Sequence, residues 1–346
     1  MSVPLRVLFT CVGGTLVPSA LRNLRETSRL PLTLFGGDSG SAGLSDQMLD
    51  GFFTVPLGGD AGYADTLLNI AQREKIDIVV PWSDGEAITL SKNRARFDAI
   101  GCDVMVSPSE VLDTISDKLE TYRKLENAGL SVPNYAAVDS SDDLIAAAQD
   151  AGYPQRSVVV KPATGRGGRG LHVLLGQDAP PEWLGAGQRE ERHDGNRPLD
   201  DEAAMEMLEG TMLVMPCLKA PVYDADVLAR KGHADAIVIR RRTNPTGIPW
   251  AGNTICRNLA FEEYARAVTE VLELDSLHDI DLMSNDDGSP AMLEVNPRMS
   301  GSLAATLMAG IPILDAALAG RVGINLPVPM PEDSVEIAMD NEAIVL

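Results

Sequence analysis

VVVKPATGRGGRG, Val158 to Gly170, decides how the chain folds. Three valines form a buried strand that delivers Lys161, and an ammonium after such a run is costly to bury unless an anion meets it. Gly165, Arg166, Gly167, Gly168, Arg169 and Gly170 follow. The glycines let backbone N–H groups approach an anion closely, and the arginines add permanent charge. LHVLL then reads as a return strand, so the stretch is a glycine-tipped β-hairpin. One reading is a flap over a polyphosphate; the other is a flexible hairpin with a solvated basic tip. It is not a Walker loop, because no GK[ST] closes it.

On the N-terminal side, short apolar runs alternate with helical patterns. RVLFTCV (6–12), LTLFGGD (32–38), FFTVPL (52–57), IDIVVPW (76–82) and CDVMVS (102–107) read as strands, with helices over 19–27 and 63–75. Such alternation implies right-handed crossovers and a doubly wound parallel sheet. The glycines of CVGGT suit either a tight turn into a helix or a phosphate cradle. Capped helices follow at SPSEVLDTI, SDKLETYRKLENAG (closed by Gly129) and SSDDLIAAAQDAGYP. Residues 176–204 are polar and Pro/Gly-rich and read as a mobile surface excursion. From 211 onward the chain is strand-rich with hairpin-like turns: 211–218, 223–230, 235–242, 279–284 and 291–296, with a helix over 261–274 and two small-residue helices after 302. That part reads as antiparallel.

The chain has 346 residues, enough for two or three lobes, and a 45% hydrophobic fraction. Fifty acids against 29 bases give a formal charge of −21, which argues against nucleic-acid binding and against docking on anionic membranes. A local basic pocket overrides that net charge, and GRGGRG and IRRR are two concentrations of base. The four cysteines show no CxxC and read as reduced; the four histidines show no metal spacing. The N-terminus carries no signal-peptide pattern, and no run approaches the roughly 20 apolar residues of a membrane span, so the cytoplasm is the expected compartment.

The chemistry-bearing residues sit at strand ends. In EVNPRMSGS, Glu294, Asn296 and Arg298 alternate and share one face. Asp281, on DIDLM, is joined to them by the turn SNDDGSP. Two carboxylates and an amide oxygen suit magnesium rather than zinc, with manganese as the other hard ion. The bland reading is a salt-bridged strand end, Glu294 on Arg298. Lys118, at a helix start, is unfavourable with the helix dipole unless it reaches an anion; otherwise it is a surface lysine. In IRRR, alternation puts Arg240 and Arg242 on one face and Arg241 on the other, with Arg242 the preferred residue for a cleft. Asn244, Trp250 and Asn253 follow as a substrate wall or as structural groups.

In this order, SDK, VVVKPATGRGGRG, LVMPCL, YDADVL, IRRR, DIDLM and EVNPRMSGS, the chain resembles the ATP-grasp superfamily, and within it the branch of the carbamoyl-phosphate synthase large subunit and amino-acid ligases. The resemblance implies an α/β and α+β architecture: an N-terminal doubly wound parallel-sheet lobe (1–112), a central ATP-grasp lobe with the glycine flap (113–206), a C-terminal ATP-grasp lobe (207–325) and a tail (326–346). It implies ATP and Mg2+ (or Mn2+). Lys118, Lys161 and Gly165–Gly170 would contact ATP phosphates, and Met215, Cys217 and Leu218 the adenine. Asp281, Glu294 and Asn296 would hold the metal, and Arg298 with Arg242 or Arg240 would handle the transferred phosphoryl group. Asp226 resembles a structural acid. Pro216 stands where the family's hinge has Glu. Val222 stands where a ribose-binding Glu often precedes the aromatic, which leaves Asp224 as the substitute. The implied activity is carboxylate–amine ligation through an acyl phosphate, on small-molecule substrates, with a homodimer as the default assembly. Enzymes that stop at phosphoryl transfer or use bicarbonate, and a nucleotide-binding module without chemistry, are the other readings. Specificity is expected in WSDGE (82–86), in 243–258 and around Ser300–Ser302.

Overall fold

The computed structural model describes residues 3–165, 169–179, 190–193, 199–243 and 252–338. The chain divides into two compact units. One gathers Met1–Asp113, Pro221–Leu282 and Glu294–Leu346; the other holds Thr114–Ala220 and Met283–Leu293.

The first unit begins with β1 (Leu5–Thr10), α1 (Val17–Thr27), β2 (Leu32–Asp38), a 3-10 turn (Gly43–Met48), β3 (Gly51–Thr54), α2 (Tyr63–Glu74), β4 (Ile78–Val80), α3 (Asp84–Lys92), α4 (Arg94–Asp98) and β5 (Asp103–Val104). The strands form a parallel sheet in the order β3-β2-β1-β4-β5, as the alternating pattern predicts. Val7, Leu8 and Phe9 are wholly buried, the mark of a strand covered on both faces. Val17, Ala20, Leu21 and Leu24 recur at helical spacing and are α1's buried side. Helices α3 and α4 were not expected. The signal was Ser83–Asp84–Gly85–Glu86: the Glu86 side chain accepts from the Ser83 N–H at 3.2 Å and closes a capping box.

Helix α5 (Ser109–Ile115) leads into the second unit, which holds α6 (Lys118–Asn127), β6 (Ala136–Val138), α7 (Ser141–Asp150), β7 (Val158–Pro162), β8 (His172–Leu174), β9 (Glu191–His193), α8 (Asp201–Glu206) and β10 (Met212–Pro216). Its sheet runs β6-β10-β7-β8-β9. β7 and β8 are antiparallel, the expected hairpin arms, while β8 and β9 are parallel. Strand β9 and helix α8 lie in the stretch expected to be an excursion; a three-residue polar strand carries no period to read. Leu144, Ala148, Val158, Val160, Leu174, Met212 and Val214 form this unit's core.

Asp117 caps α6, accepting from the N–H groups of Leu119 at 2.9 Å and Glu120 at 3.2 Å. Asp117→Ala should cost about 1 kcal/mol of stability, read as a lower urea midpoint at unchanged slope. An unchanged midpoint would mean that the cap contributes nothing.

The remaining elements are β11 (Lys219–Arg230), β12 (His233–Arg242), β13 (Asn253–Cys256), α9 (Leu259–Leu272), β14 (Ser276–Ser284), β15 (Pro290–Asn296), α10 (Ala304–Met308), α11 (Ile313–Arg321) and β16 (Val335–Ile337). They make a six-stranded sheet, β15-β14-β11-β12-β13-β16. β11 with β12, β12 with β13 and β13 with β16 pair antiparallel, as expected for this part. In the first unit, Phe9, Leu21 and Ile78 share one core with Leu228, Val238, Leu277, Leu303 and Leu314. No helix of the described residues is long and apolar enough to cross a membrane.

Candidate functional site

Register builds the site in the first unit. Arg240 lies opposite Asp224 on β11 and Ile255 on β13. Asp224 and Asp226, two apart on β11, share a face with Arg240 and Arg242. Asp279 and Asp281 do the same on β14. Arg241 is exposed and Arg240 and Arg242 are not, as the alternation predicts.

Arg240 is 0% exposed. Its fork is bidentate on Asp226 (2.8 and 3.0 Å), and its Nη1 donates to Asn253 at 3.1 Å and Ser302 at 2.8 Å. A guanidinium held this way is a strut, which corrects its expected part in phosphoryl handling. Arg242 keeps 12% of its side chain exposed and bridges Asp224 at 2.5 Å and Asp281 at 3.0 Å. Asp224, expected to substitute for a ribose-binding acid, is wholly buried and held by both arginines. Burial there leaves it no face for a ribose.

Around the end of β15, Arg298 Nε sits 3.0 Å from Asp84 and its Nη1 3.6 Å from Asp279. Its Nη2 donates to Asn296 Oδ1 at 3.2 Å, and the Asn296 amide donates to Asp279 at 3.3 Å. Glu294 is half-buried, and its charge acts on both Asp281 and Arg298. The structure thus brings Asp281, Glu294, Asn296, Arg298 and Arg242 together. It adds Asp279, absent from the sequence-predicted set, and Asp84, which that set held only within the specificity stretch WSDGE. Asp279 was legible as the first acid of DID, two residues before Asp281.

Electrostatics separates these acids. Burial pushes Asp224 up, but Arg240 and Arg242 more than offset it and hold the carboxyl down at about 2. Burial and the neighbouring Asp224 push Asp279 up to about 7. Burial also raises Asp281 well above the carboxylate range, against the pull of Arg242. One carboxylate has two cations and the others share what is left.

In the second unit, Lys161 is buried and donates to the Tyr122 hydroxyl and the Leu293 carbonyl, both at 3.1 Å. Its Nζ lies 5.5 Å from the centre of the Tyr122 ring. Lys118, also buried, donates to the Gly165 carbonyl at 2.9 Å, so it is no surface lysine and is tied to the first residue of the glycine loop. Gly170 has φ +67°, a left-handed conformation that favours glycine. Arg169 is exposed. Arg166, Gly167, Gly168, Asn244 and Trp250 lie outside the described residues. Met215 points its side chain into the core, and Leu218 is half-buried. The Cys217 N–H is already donated to Ser157 O at 2.9 Å, so a base contact from Cys217 has only its carbonyl to use. Burial pushes the Cys217 thiol up to about 12.

Three family models match successive parts of the chain. Residues 21–105 match a PylC-like N-terminal domain, and 117–193 the ATP-binding domain of the carbamoyl-phosphate synthase L chain. Residues 209–342 match an ATP-grasp described as lying in the biosynthetic pathway with the Ter operon. Solved structures agree over nearly the whole length. N5-carboxyaminoimidazole synthetase from Staphylococcus aureus, complexed with ADP, has a TM-score of 0.67 at 14% identity over 95% of this chain and 80% of that one. The chain has the ATP-grasp fold. Biotin carboxylase from Campylobacter jejuni shows the same ATP-grasp likeness, with a TM-score of 0.64 at 16% identity over 93% of this chain and 72% of that one. L-amino acid ligase from Bacillus licheniformis gives 0.60 at 16% identity, over 92% and 75%. None of the curated proteins matches the chain in sequence. The ATP-grasp resemblance carried by the seven motifs is therefore met at the level of the fold.

Proposed function

We propose that the protein is an ATP-dependent ligase that joins a small-molecule carboxylate to an amine, releasing ADP and phosphate. The observation that carries this reading is the charge balance at the ends of β12, β14 and β15. Six carboxylates (Asp84, Asp224, Asp226, Asp279, Asp281, Glu294) meet three guanidiniums (Arg240, Arg242, Arg298), and Asp279 Oδ1 is buried with no hydrogen-bond partner. An all-oxygen donor set with surplus negative charge fits a hard divalent cation. Asp281, Glu294 and Asn296 would hold it, with Asp279 beside them. Magnesium there would neutralise phosphate charge during transfer.

The chain's own residues do the rest. Lys118 and Lys161 bind ATP phosphates in the second unit, and the glycine loop from Gly165 to Gly170 lets backbone N–H groups approach them. The substrate carboxylate takes the γ-phosphoryl group as its bond to ADP breaks. Arg298 and Arg242 present planar donors to that group and hold its geometry. The amine nitrogen then bonds to the acyl carbon, phosphate leaves with the bonding electrons, and the ammonium proton passes to solvent. No enzyme nucleophile is needed.

The first unit also supports an amine as the acceptor. Its parallel sheet reverses winding between β1 and β4, and ligands of such sheets bind beyond the carboxyl ends of the strands at that point. Glu86, Asp38 and Asp84 act on Cys11 there against the Arg298 guanidinium, so carboxylates outnumber the cation where an ammonium would sit. The Trp82 indole donates to Ser300 O at 3.1 Å and fixes MSGS against the same end.

Incubating the protein with Mg-ATP and a panel of amino acids and small carboxylates should show ADP release for particular pairs, with a coupled product by mass spectrometry. ATP binding without turnover on any pair would favour the nucleotide-binding module, the reading that Pro216, Val222 and the buried Asp224 support.

A further inference from the structure

The parallel pairing of β8 with β9 sets His172 opposite Glu191 and Leu174 opposite His193. Partners across a ladder share a face, and so do residues two apart on one strand. His172, Glu191 and His193 therefore emerge together, although the first two lie 19 positions apart in the sequence. His172 Nδ1 lies 3.1 Å from His193 Nε2 and 3.6 Å from Glu191 Oε2. One ligand atom from each of the three falls within 4.8 Å of the others. Two donors on one tetrahedral zinc ion stand about 3.3 Å apart, given bonds of about 2.0–2.1 Å. The observed separations bracket that value.

We propose that His172, Glu191 and His193 bind a borderline-soft divalent transition ion of the Zn2+ type, a second metal site separate from the carboxylate cluster. Two imidazoles select against magnesium and for zinc, cobalt or nickel. In the metal-free arrangement one ring N–H donates to the other ring's lone pair. A tautomer shift on one ring turns both lone pairs toward an ion. The Glu191 side chain is 74% exposed, which gives the ion an entry path, while His172 is buried and fixed in place. Three protein ligands leave a coordination position for water. Bound there, the ion clips β9, the last strand of its sheet, onto β8. His172 and His193, which show no metal spacing along the chain, acquire one through the strand pairing. The inference is independent of the ligase reading.

Zn2+ titration by calorimetry, on protein held in excess Mg2+ so that the carboxylate cluster is covered, tests it. Wild type and His233→Ala, which removes an exposed histidine elsewhere, should each bind one Zn2+ equally. His193→Ala and Glu191→Gln should each weaken binding more than about tenfold. Co2+ should give wild type a tetrahedral visible spectrum that both variants lose. Glu191→Gln changes an exposed side chain, so it keeps the test open should His193→Ala unfold. Absence of Zn2+ uptake by wild type, or wild-type affinity and spectrum in Glu191→Gln, would overturn the proposal.

Discussion

Arg240→Met should destabilise the protein by about 3–5 kcal/mol, because it leaves buried carboxylates without their counter-charge. Arg240 is 0% exposed and joins three elements: Asp226 on β11, Asn253 on β13, and Ser302 ahead of α10. Without it, Asp226 keeps, among the described residues, only the hydroxyl of Thr306 as a side-chain donor. Methionine fills much of the volume, so the loss measures charge and hydrogen bonding more than a cavity. Arg240→Lys should rescue little, since an ammonium cannot span the bidentate Asp226 contact and also reach Asn253 and Ser302. Urea unfolding of both variants reads the effect. A loss below about 1 kcal/mol for Arg240→Met would show that the strut is dispensable. Retained structure with lost ADP release would return Arg240 to the catalytic role that the sequence suggested.

That reassignment shows where sequence reading stops. Alternation along IRRR told which arginines share a face, because the period of a strand is fixed by geometry. It could not tell that Arg240 is closed off by the Asn253 side chain and by MSGS, since those partners come from chain segments far from it in sequence. The same limit hid Asp279. Its period-two relation to Asp281 is plain in DIDLM, but it takes the Asn296 amide, Arg298 and Arg240, brought from other segments, to show it belongs to the cluster. Strands with three or more consecutive apolar residues, such as those around Val7 and Val158, were legible, as was the glycine hairpin. Strand β9 was not: Glu191, Arg192 and His193 are polar, and the strand exists through its ladder with β8. Helix α3 is legible in the spacing of Ser83 and Glu86, within the stretch WSDGE expected to carry specificity.

Arg298→Ala should lower the rate of ADP release about 10²–10³-fold, the usual loss for one oriented donor to a developing anion. Arg298 has the geometry for that task. Its Nε is held by Asp84 at 3.0 Å and its Nη2 by Asn296 at 3.2 Å, so the guanidinium plane is set before substrate arrives. Pre-setting avoids reorganisation during transfer. Removing it also unbalances Asp84 and Asp279, so a stability loss is expected, and Asp84→Asn in the same background should restore part of the stability but none of the rate. Glu294→Ala acts by another route. It removes an oxygen donor beside Asp281, so the Mg2+ concentration for half-maximal rate should rise as kcat falls, with less change in stability because Glu294 is only half-buried. The two variants together separate the proposed parts: Arg298 should alter kcat with the Mg2+ dependence intact, and Glu294 should alter both. Wild-type ADP release in both variants would show that the cluster at the end of β15 is a salt-bridged strand end and that phosphoryl transfer is handled elsewhere.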